Sequence, residues 1–456
     1  MNVPSRRRQL IASSIRTSYF LAGMLLLSVT AQAQEDIPTA VKSAAATHKQ
    51  KTIVTVANSA KGEKLEDFCI DSKGRILALM GQGESEQGFA IPFLGKAKPA
   101  KFACEVRVYD ATGKMAAKWE VGFTGQAINT APDGTIVVGG DGHVARFDAE
   151  GKKLHEAESP QMTYISKNTD EMRERAKEQL ESDRVTYAEQ VKQFEELLKQ
   201  AKEAKKKAEK KSSDKKNTDK DKPAKKNDAD SEDEPAEEEL GFGEDQLEQI
   251  VTSYKNMSKQ LETRTVDEVL KEVMARARRT HSITAGEKDV FVSCPALAGY
   301  GFGVWRTDEK FGQAKEIIKS LSGCCGQMDV QCHNDELYVC ENSRHRVVRF
   351  DRDGKELAQF GERDRTGEGA SFGGCCNPMN LCFNKQGDLY VSESNGVVKH
   401  FTPAGKYLGI VGIADVQAGC KNSCVGVTAD DSKLFYIDIY KSRIIVLDRD
   451  EKVSKK

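Results

Sequence analysis

This 456-residue chain has almost no net charge, with 69 Lys and Arg against 70 Asp and Glu. A balance this close leaves no global basicity to serve as an electrostatic footprint for nucleic acid. The apolar run at residues 19–29 is too short to span a bilayer comfortably. No phosphate-cradling glycine loop and no nucleophile-elbow motif occurs. No Cys-x-x-Cys-His occurs either, so covalent haem is not indicated.

What the chain does contain begins with a leader. Residues 1–33 combine a basic start, an apolar stretch and small residues at Ala31 and Ala33, the layout of a cleavable signal peptide. The expectation is export to a periplasmic or secreted location, with membrane attachment only if the leader stays uncleaved. Ser5-Arg6-Arg7 faintly resembles a twin-arginine signal, but Gln9 stands where that motif prefers Phe. All twelve cysteines follow the leader, an even number in a chain bound for an oxidising compartment, which makes disulfides the default.

The organising pattern lies in residues 324–361, where four short strands of alternating character are joined by tight polar turns such as Asp353-Gly354. Residues 375–412 repeat it almost residue for residue. Self-similarity at this period marks a repeat fold, because each unit has faces that only a neighbour can bury. Leu337-Tyr338-Val339, Arg344-His345-Arg346-Val347, Phe350-Asp351 and Asp353-Gly354-Lys355 follow a pattern of leu-tyr-val, asn-his-arg-val, phe-asp and asp-gly-lys. On these residues the chain resembles the NHL-repeat family. That resemblance implies an all-β, six-bladed β-propeller, a scaffold on which relatives bind RNA, bind proteins or carry out lyase chemistry.

Taken in order, residues 34–50 read as a flexible lead-in, and 51–158 hold a closing strand (52–57) followed by blades 1 and 2. Residues 159–280 form an antiparallel α-helical hairpin insertion. Leu180, Tyr187, Phe194 and Ala201 make one heptad seam, Leu247, Ile250, Tyr254, Met257 and Leu261 a second, and Val266, Leu270, Val273 and Ala277 continue it. The tip, 212–243, is so rich in Lys, Asp, Glu and Ser that disorder is expected. Blades 3–6 occupy 281–450, and 451–456 are a tail. The last blade runs out of chain before its fourth strand, so residues 52–57 are expected to supply it and close the ring.

In such a ring the plain turns gather at one face, while the 81–104 loop, the helical insertion, 296–303, Arg344-His345 and 362–374 gather at the other. Function is expected on that loop-bearing face. Aligned blades put Cys324-Cys325, Cys375-Cys376 and Cys420 at equivalent points between blades, with Cys424 one turn on. A disulfide between adjacent cysteines strains the peptide between them, so each pair must find partners on neighbouring blades. Three readings stay open: disulfides stapling blades, buried thiols, or a thiolate site for zinc or copper. Arg344, His345 and His281 are candidate ligand contacts, although a pair like Arg344-His345 also belongs to the repeat's own frame. Some NHL-like lyases hold zinc with several channel histidines, whereas here only His281 falls on an innermost strand, which argues against a three-histidine site. Glu341, Glu393 and Asp438 share one position at a second-strand end and are expected to hydrogen-bond the next turn.

These features point to an exported binding scaffold that recognises protein or peptide, not nucleic acid, and needs no cofactor. The alternative is a metal-dependent lyase or hydrolase using the cysteine-rich mouth.

Overall fold

A computed structural model describes residues 37–42, 44, 46–57, 63–82, 104–110, 112–218, 243–324, 326–374, 376–417, 419 and 421–450. The leader, most of the 81–104 loop, the hairpin tip beyond residue 218, Cys325, Cys375, Cys420 and the tail lie outside the described residues.

Alternation decides the architecture. In the strand Ile76–Gln82, Ile76, Ala78 and Met80 enter one apolar cluster, and Leu77 and Leu79 enter another. In the strand Glu336–Glu341, Leu337 and Val339 face one cluster and Tyr338 and Cys340 the next. A strand buried on both faces needs a sheet on each side. Six apolar clusters result, one in each seam between neighbouring sheets.

The sheets are six antiparallel blades of four strands. Blade 1 comprises β2 (Glu63–Ile70), β3 (Ile76–Gln82), β4 (Glu105–Tyr109) and β5 (Met115–Glu120). Blade 2 holds β6 (Ala127–Thr130), β7 (Ile136–Gly140), β8 (His143–Phe147) and β9 (Lys153–Glu158). Blade 3 holds β10 (Ser282–Ala285), β11 (Asp289–Pro295), β12 (Phe302–Asp308) and β13 (Lys315–Leu321). Blade 4 runs through β14 (Val330–His333), β15 (Glu336–Glu341), β16 (Arg346–Asp351) and β17 (Glu356–Phe360). Blade 5 runs through β18 (Asn380–Phe383), β19 (Leu389–Ser392), β20 (Val397–Phe401) and β21 (Tyr407–Ile413). Blade 6 has only β22 (Val425–Val427), β23 (Lys433–Asp438) and β24 (Arg443–Arg449) of its own.

Its missing strand is β1 (His48–Thr55), paired antiparallel with β24 from His48 opposite Arg449 to Thr55 opposite Arg443. The N-terminal strand therefore closes the ring as expected, giving blade 6 the fourth, outermost strand that its own segment does not supply. The innermost strands β2, β6, β10, β14, β18 and β22 neighbour one another in that order and back to β2. The protein is a six-bladed β-propeller with a helical insertion. The lead-in is less free than its composition suggests, because Val41, in the single helical turn Thr39–Lys42, is buried against Val397 and Ile410 of blade 5.

Between β9 and β10 come α1 (Pro160–Lys167), α2 (Thr169–Thr218), α3 (Glu244–Thr263) and α4 (Val266–Ala277). α1 packs on blade 3, where the Tyr164 and Trp305 rings lie 5.3 Å apart. Residues 170–271 form a compact unit of their own. Within it α2 and α3 are antiparallel: the Phe194 and Tyr254 rings meet at a tilt with centroids 5.0 Å apart, Lys202 pairs with Glu248 at 2.5 Å, and Lys205 with Glu244 at 2.9 Å. At the opposite end of α3, Arg184 Nε donates to the Leu261 carbonyl at 2.8 Å, satisfying a helix C-terminus that lacks a glycine cap. Leu180, Leu247, Tyr254 and Leu261 are buried as the seams require, but Val251 and Val269 are buried where Ile250 and Leu270 were expected. Successive helix positions stand about 100° apart, so i+4 lies as near the seam as i+3, and the extended backbone at Arg264 resets the phase before Val269. α2 also stays helical to Thr218, six residues past 212, where the disordered tip was expected to begin. Among the described residues no helix is long and apolar enough to cross a membrane.

Candidate functional site on the loop-bearing face

Antiparallel winding sorts the connections. Each innermost strand starts at the end where the previous blade's outermost strand finishes, so blade-to-blade connections and second-to-third strand loops share one end of the ring. At the other end one device recurs. Asp110 Oδ1 accepts from the N–H of Thr112 at 2.9 Å and of Lys114 at 3.0 Å. Asp148 does the same for Glu150 and Lys152, and Asp351 for Asp353 and Lys355. The left-handed position these turns need is taken by Gly113, Gly151 and Gly354, and in blade 3 by Phe311 at φ 66°.

The loop-bearing end is where the candidate residues fall. Cys324 follows β13 and Cys376 precedes β18, and their Sγ atoms lie 3.2 Å apart, in contact but outside the ~2.05 Å of a disulfide. The connections entering blades 4 and 5 thus meet at sulfur. Cys424 does not join them. It is a buried thiol that donates to the Phe68 carbonyl at 3.2 Å, and burial pushes its pKa well above the ordinary thiol value, helped by the nearby Asp67 and Asp329 carboxylates. Cys69, Cys104, Cys294, Cys332, Cys340 and Cys382 are also unbonded thiols. These seven stand as free thiols, and all but Cys294 pack as small apolar units in the seams between blades.

His345 follows the 3-10 turn Asn342–Arg344 in a left-handed conformation, as Ser442 does after Ile439–Lys441 in blade 6. Only 5% of it is exposed, its Nδ1 is buried without a partner, and burial, reinforced by Arg363, lowers its pKa. Arg344 pairs with Glu341 at 3.2 Å. His345 is thus built into the frame of blade 4, while Arg344, paired with Glu341, keeps about half of its side chain (52%) exposed. His281 lies one residue ahead of β10, hydrogen-bonds the Gly326 backbone and meets Phe302 edge-on at 4.9 Å; burial holds its pKa down at about 4, so the ring is neutral. Among the described residues no three His, Cys, Asp or Glu side chains converge on a metal-sized site.

The repeated second-strand carboxylates hold cations of the third strand. Glu341 pairs with Arg346 at 2.5 Å, Glu393 with Lys399 at 2.8 Å, and Asp438 with Arg443 at 2.7 Å. Glu341 adds the expected bond to a neighbouring connection, from Ser322 N–H at 2.9 Å. The blade 5 pair is fully enclosed, and Lys399 Nζ also donates to the carbonyls of Gly367 (2.7 Å) and Ser371, fastening the loop between β17 and β18.

Two features escaped sequence reasoning. One is a ring of side chains at the throat. Asp67 Oδ2 accepts from Ile128 N–H at 2.9 Å, Ser282 Oγ from Val330 N–H at 3.2 Å, Asp329 Oδ2 from Leu381 N–H at 2.8 Å, and Asn380 Oδ1 from Val425 N–H at 2.9 Å. Each stitches one blade to the next, Cys424 joins blade 6 to blade 1 through its bond to Phe68, and at the blade 2–3 seam Gln126 Oε1 accepts from Thr280 N–H at 2.9 Å. Across the ring, Asn129 Nδ2 of blade 2 donates to Gln331 Oε1 of blade 4 at 2.7 Å. Burial pushes the Asp67 carboxyl up to about 7 and that of Asp329 to about 6. A shared repeat column holding Asp67, Ser282, Asp329 and Asn380 was the available signal, but residue identity varies along it and only the capacity to accept is common.

The second is a cavity of about 290 Å³ lined by Arg363, Arg365, Gly367, Gly374, Glu393 and Asn395, bordered by Pro38 and Val41 of the N-terminal segment.

No family model matches the chain, and no curated protein matches it in sequence. Among solved structures it is similar to a catalytically inactive virginiamycin B lyase from Staphylococcus aureus with quinupristin, at 11% identity and a TM-score of 0.37, covering 87% of this chain and 98% of that one. It is also similar to regucalcin, a calcium-binding protein from Agrobacterium tumefaciens, at 9% identity and a TM-score of 0.40, covering 88% and 95%.

Proposed function

We propose that this protein is an exported propeller scaffold of the NHL type that binds a protein or peptide through its loop-bearing face and its helical hairpin. The observation that carries this reading is the asymmetry of the ring. One end is built from repeated Asp-capped turns, while the long blade-to-blade connection after β17, the cysteine contact and the inserted hairpin all enter at the other. Binding residues concentrate on loops that a rigid scaffold positions. Paired amphipathic helices with half-buried aromatics, here Tyr187 and Phe194 over the buried Tyr254, suit a polypeptide partner. Export rests on the leader, with cleavage after Ala33.

The test is removal of residues 170–271, which leaves α1 and the end of α4 in place to bridge β9 and β10. The shortened chain is expected to keep the melting behaviour of the ring and to lose the partner that the full chain captures from the exported fraction. Undiminished capture removes the hairpin from the function. Sequencing the mature N-terminus checks the export step.

A further inference from the structure

We infer that the cavity beside blade 5 is a carboxylate-recognition site for a peptide ligand, an inference that rests on the scaffold reading above and names the chemistry its loop-bearing face selects. The argument is one of charge. Four ionisable residues line the cavity: Arg363, Asp364, Arg365 and Glu393. Both carboxylates are already engaged. Glu393 is buried against Lys399 at 2.8 Å, and Asp364 accepts from the Thr366 N–H at 3.0 Å and hydroxyl at 2.8 Å, which hold its pKa down. The arginines are not. Propeller arginines commonly have a carboxylate within ion-pair distance, as Arg75, Arg107, Arg306, Arg349 and Arg443 do, whereas Arg363 and Arg365 have none among the described residues.

These two guanidiniums stand two residues apart beside Gly367 and Gly374, both left-handed, with Gly373 packed against Gly367. Backbone without side chains lets a ligand approach the main chain. The loop that carries them is held by Lys399 at the Gly367 and Ser371 carbonyls, so the backbone bearing these donors is fixed in advance. Planar guanidinium forks match carboxylates in two-point hydrogen bonding. The retained Asp364 and Glu393 charges disfavour a doubly charged phosphate relative to a singly charged carboxylate. The volume is near the lower limit of the roughly 300–1,000 Å³ range of ligand pockets, enough for a short stretch of chain.

The experiment is calorimetric titration of the full chain with N-acetyl-Glu-Glu-amide, N-acetyl-Gln-Gln with a free C-terminus, neutral N-acetyl-Gln-Gln-amide, and inorganic phosphate. The first two separate side-chain from terminal carboxylates. One of them is expected to bind at least tenfold tighter than the neutral peptide and than phosphate. Arg363→Ala with Arg365→Ala is expected to abolish that preference without moving the melting temperature. Arg363→Gln with Arg365→Gln, which keeps side-chain bulk, provides the same comparison if the alanine protein does not fold. Equal binding of the neutral peptide, tighter binding of phosphate, no binding by any probe, or full binding by a folded double variant overturns the site. Because these probes are too short to need the hairpin, such a failure leaves the outcome of the 170–271 deletion to judge the scaffold reading separately.

Discussion

Replacing Asp67 by Asn tests the reasoning about the throat, because the expected effect changes with pH. In the folded ring burial raises the Asp67 carboxyl from 3.8 to about 7. In the unfolded chain it titrates near 4. Between those values the native state holds a proton that the unfolded state has released, so this group's contribution to stability falls as pH rises from 4 to 7 and stays low above 7. Three pH units correspond to about 4 kcal/mol, an upper bound because Asp67 keeps some contact with solvent. Asparagine removes this cost. It can still accept the Ile128 N–H, as Asn380 accepts that of Val425 at 2.9 Å, but it gives up the second acceptor that binds Phe68 N–H at 2.8 Å, a loss of about 1 kcal/mol. The variant should therefore be roughly 1–3 kcal/mol more stable than wild type at pH 8 and level or slightly less stable at pH 4. At about 2 °C per kcal/mol for a domain of this size, paired melting curves at the two pH values resolve the difference. A shift of the same size at both values, or destabilisation at pH 8, refutes the burial argument.

Other substitutions probe the blade framework. Lys399→Met leaves Glu393 buried without its cation and frees the 361–374 loop, and should cost roughly 3–5 kcal/mol in denaturant unfolding at pH 7; a loss under about 1 kcal/mol contradicts the enclosed pair. Gly354→Ala forces a methyl group into a turn at φ 86° against the Ile317 carbonyl, with an expected cost of about 2 kcal/mol or more by the same assay. Thiol titration at pH 8 should find Cys104 and Cys332 unreactive in the folded protein, since burial pushes both to about 12, and at least seven reactive thiols after unfolding without reductant. Fewer than seven would mean that these thiols pair.

The parts of the structure legible in the sequence are those written in local patterns. Asp353-Gly354 and its repeats specify turns because one carboxylate and one left-handed residue close each of them. Residues 52–57 could be assigned to the last sheet because blade 6 ran out of chain, and β1 occupies that place from His48 to Thr55. The throat ring was hidden because its bonds join residues tens of positions apart, and Asp, Ser and Asn serve it equally. Cysteine pairing was hidden for a related reason. Alignment put Cys324 and Cys376 at equivalent points, but only the folded distance of 3.2 Å shows that they meet, and Cys424, nearby in the pattern, packs into a different seam. Arg363 and Arg365 look like ordinary loop charges until the partners of every neighbouring carboxylate are known.

Hydrogen exchange of the full chain with and without its captured partner is the most direct test of where this propeller binds. Protection should appear in 361–374 and in the 170–271 helices, and the Asp-capped turns at 110–114, 148–152 and 351–355 should exchange unchanged. Protection confined to those turns would place the partner on the opposite end of the ring and contradict the assignment.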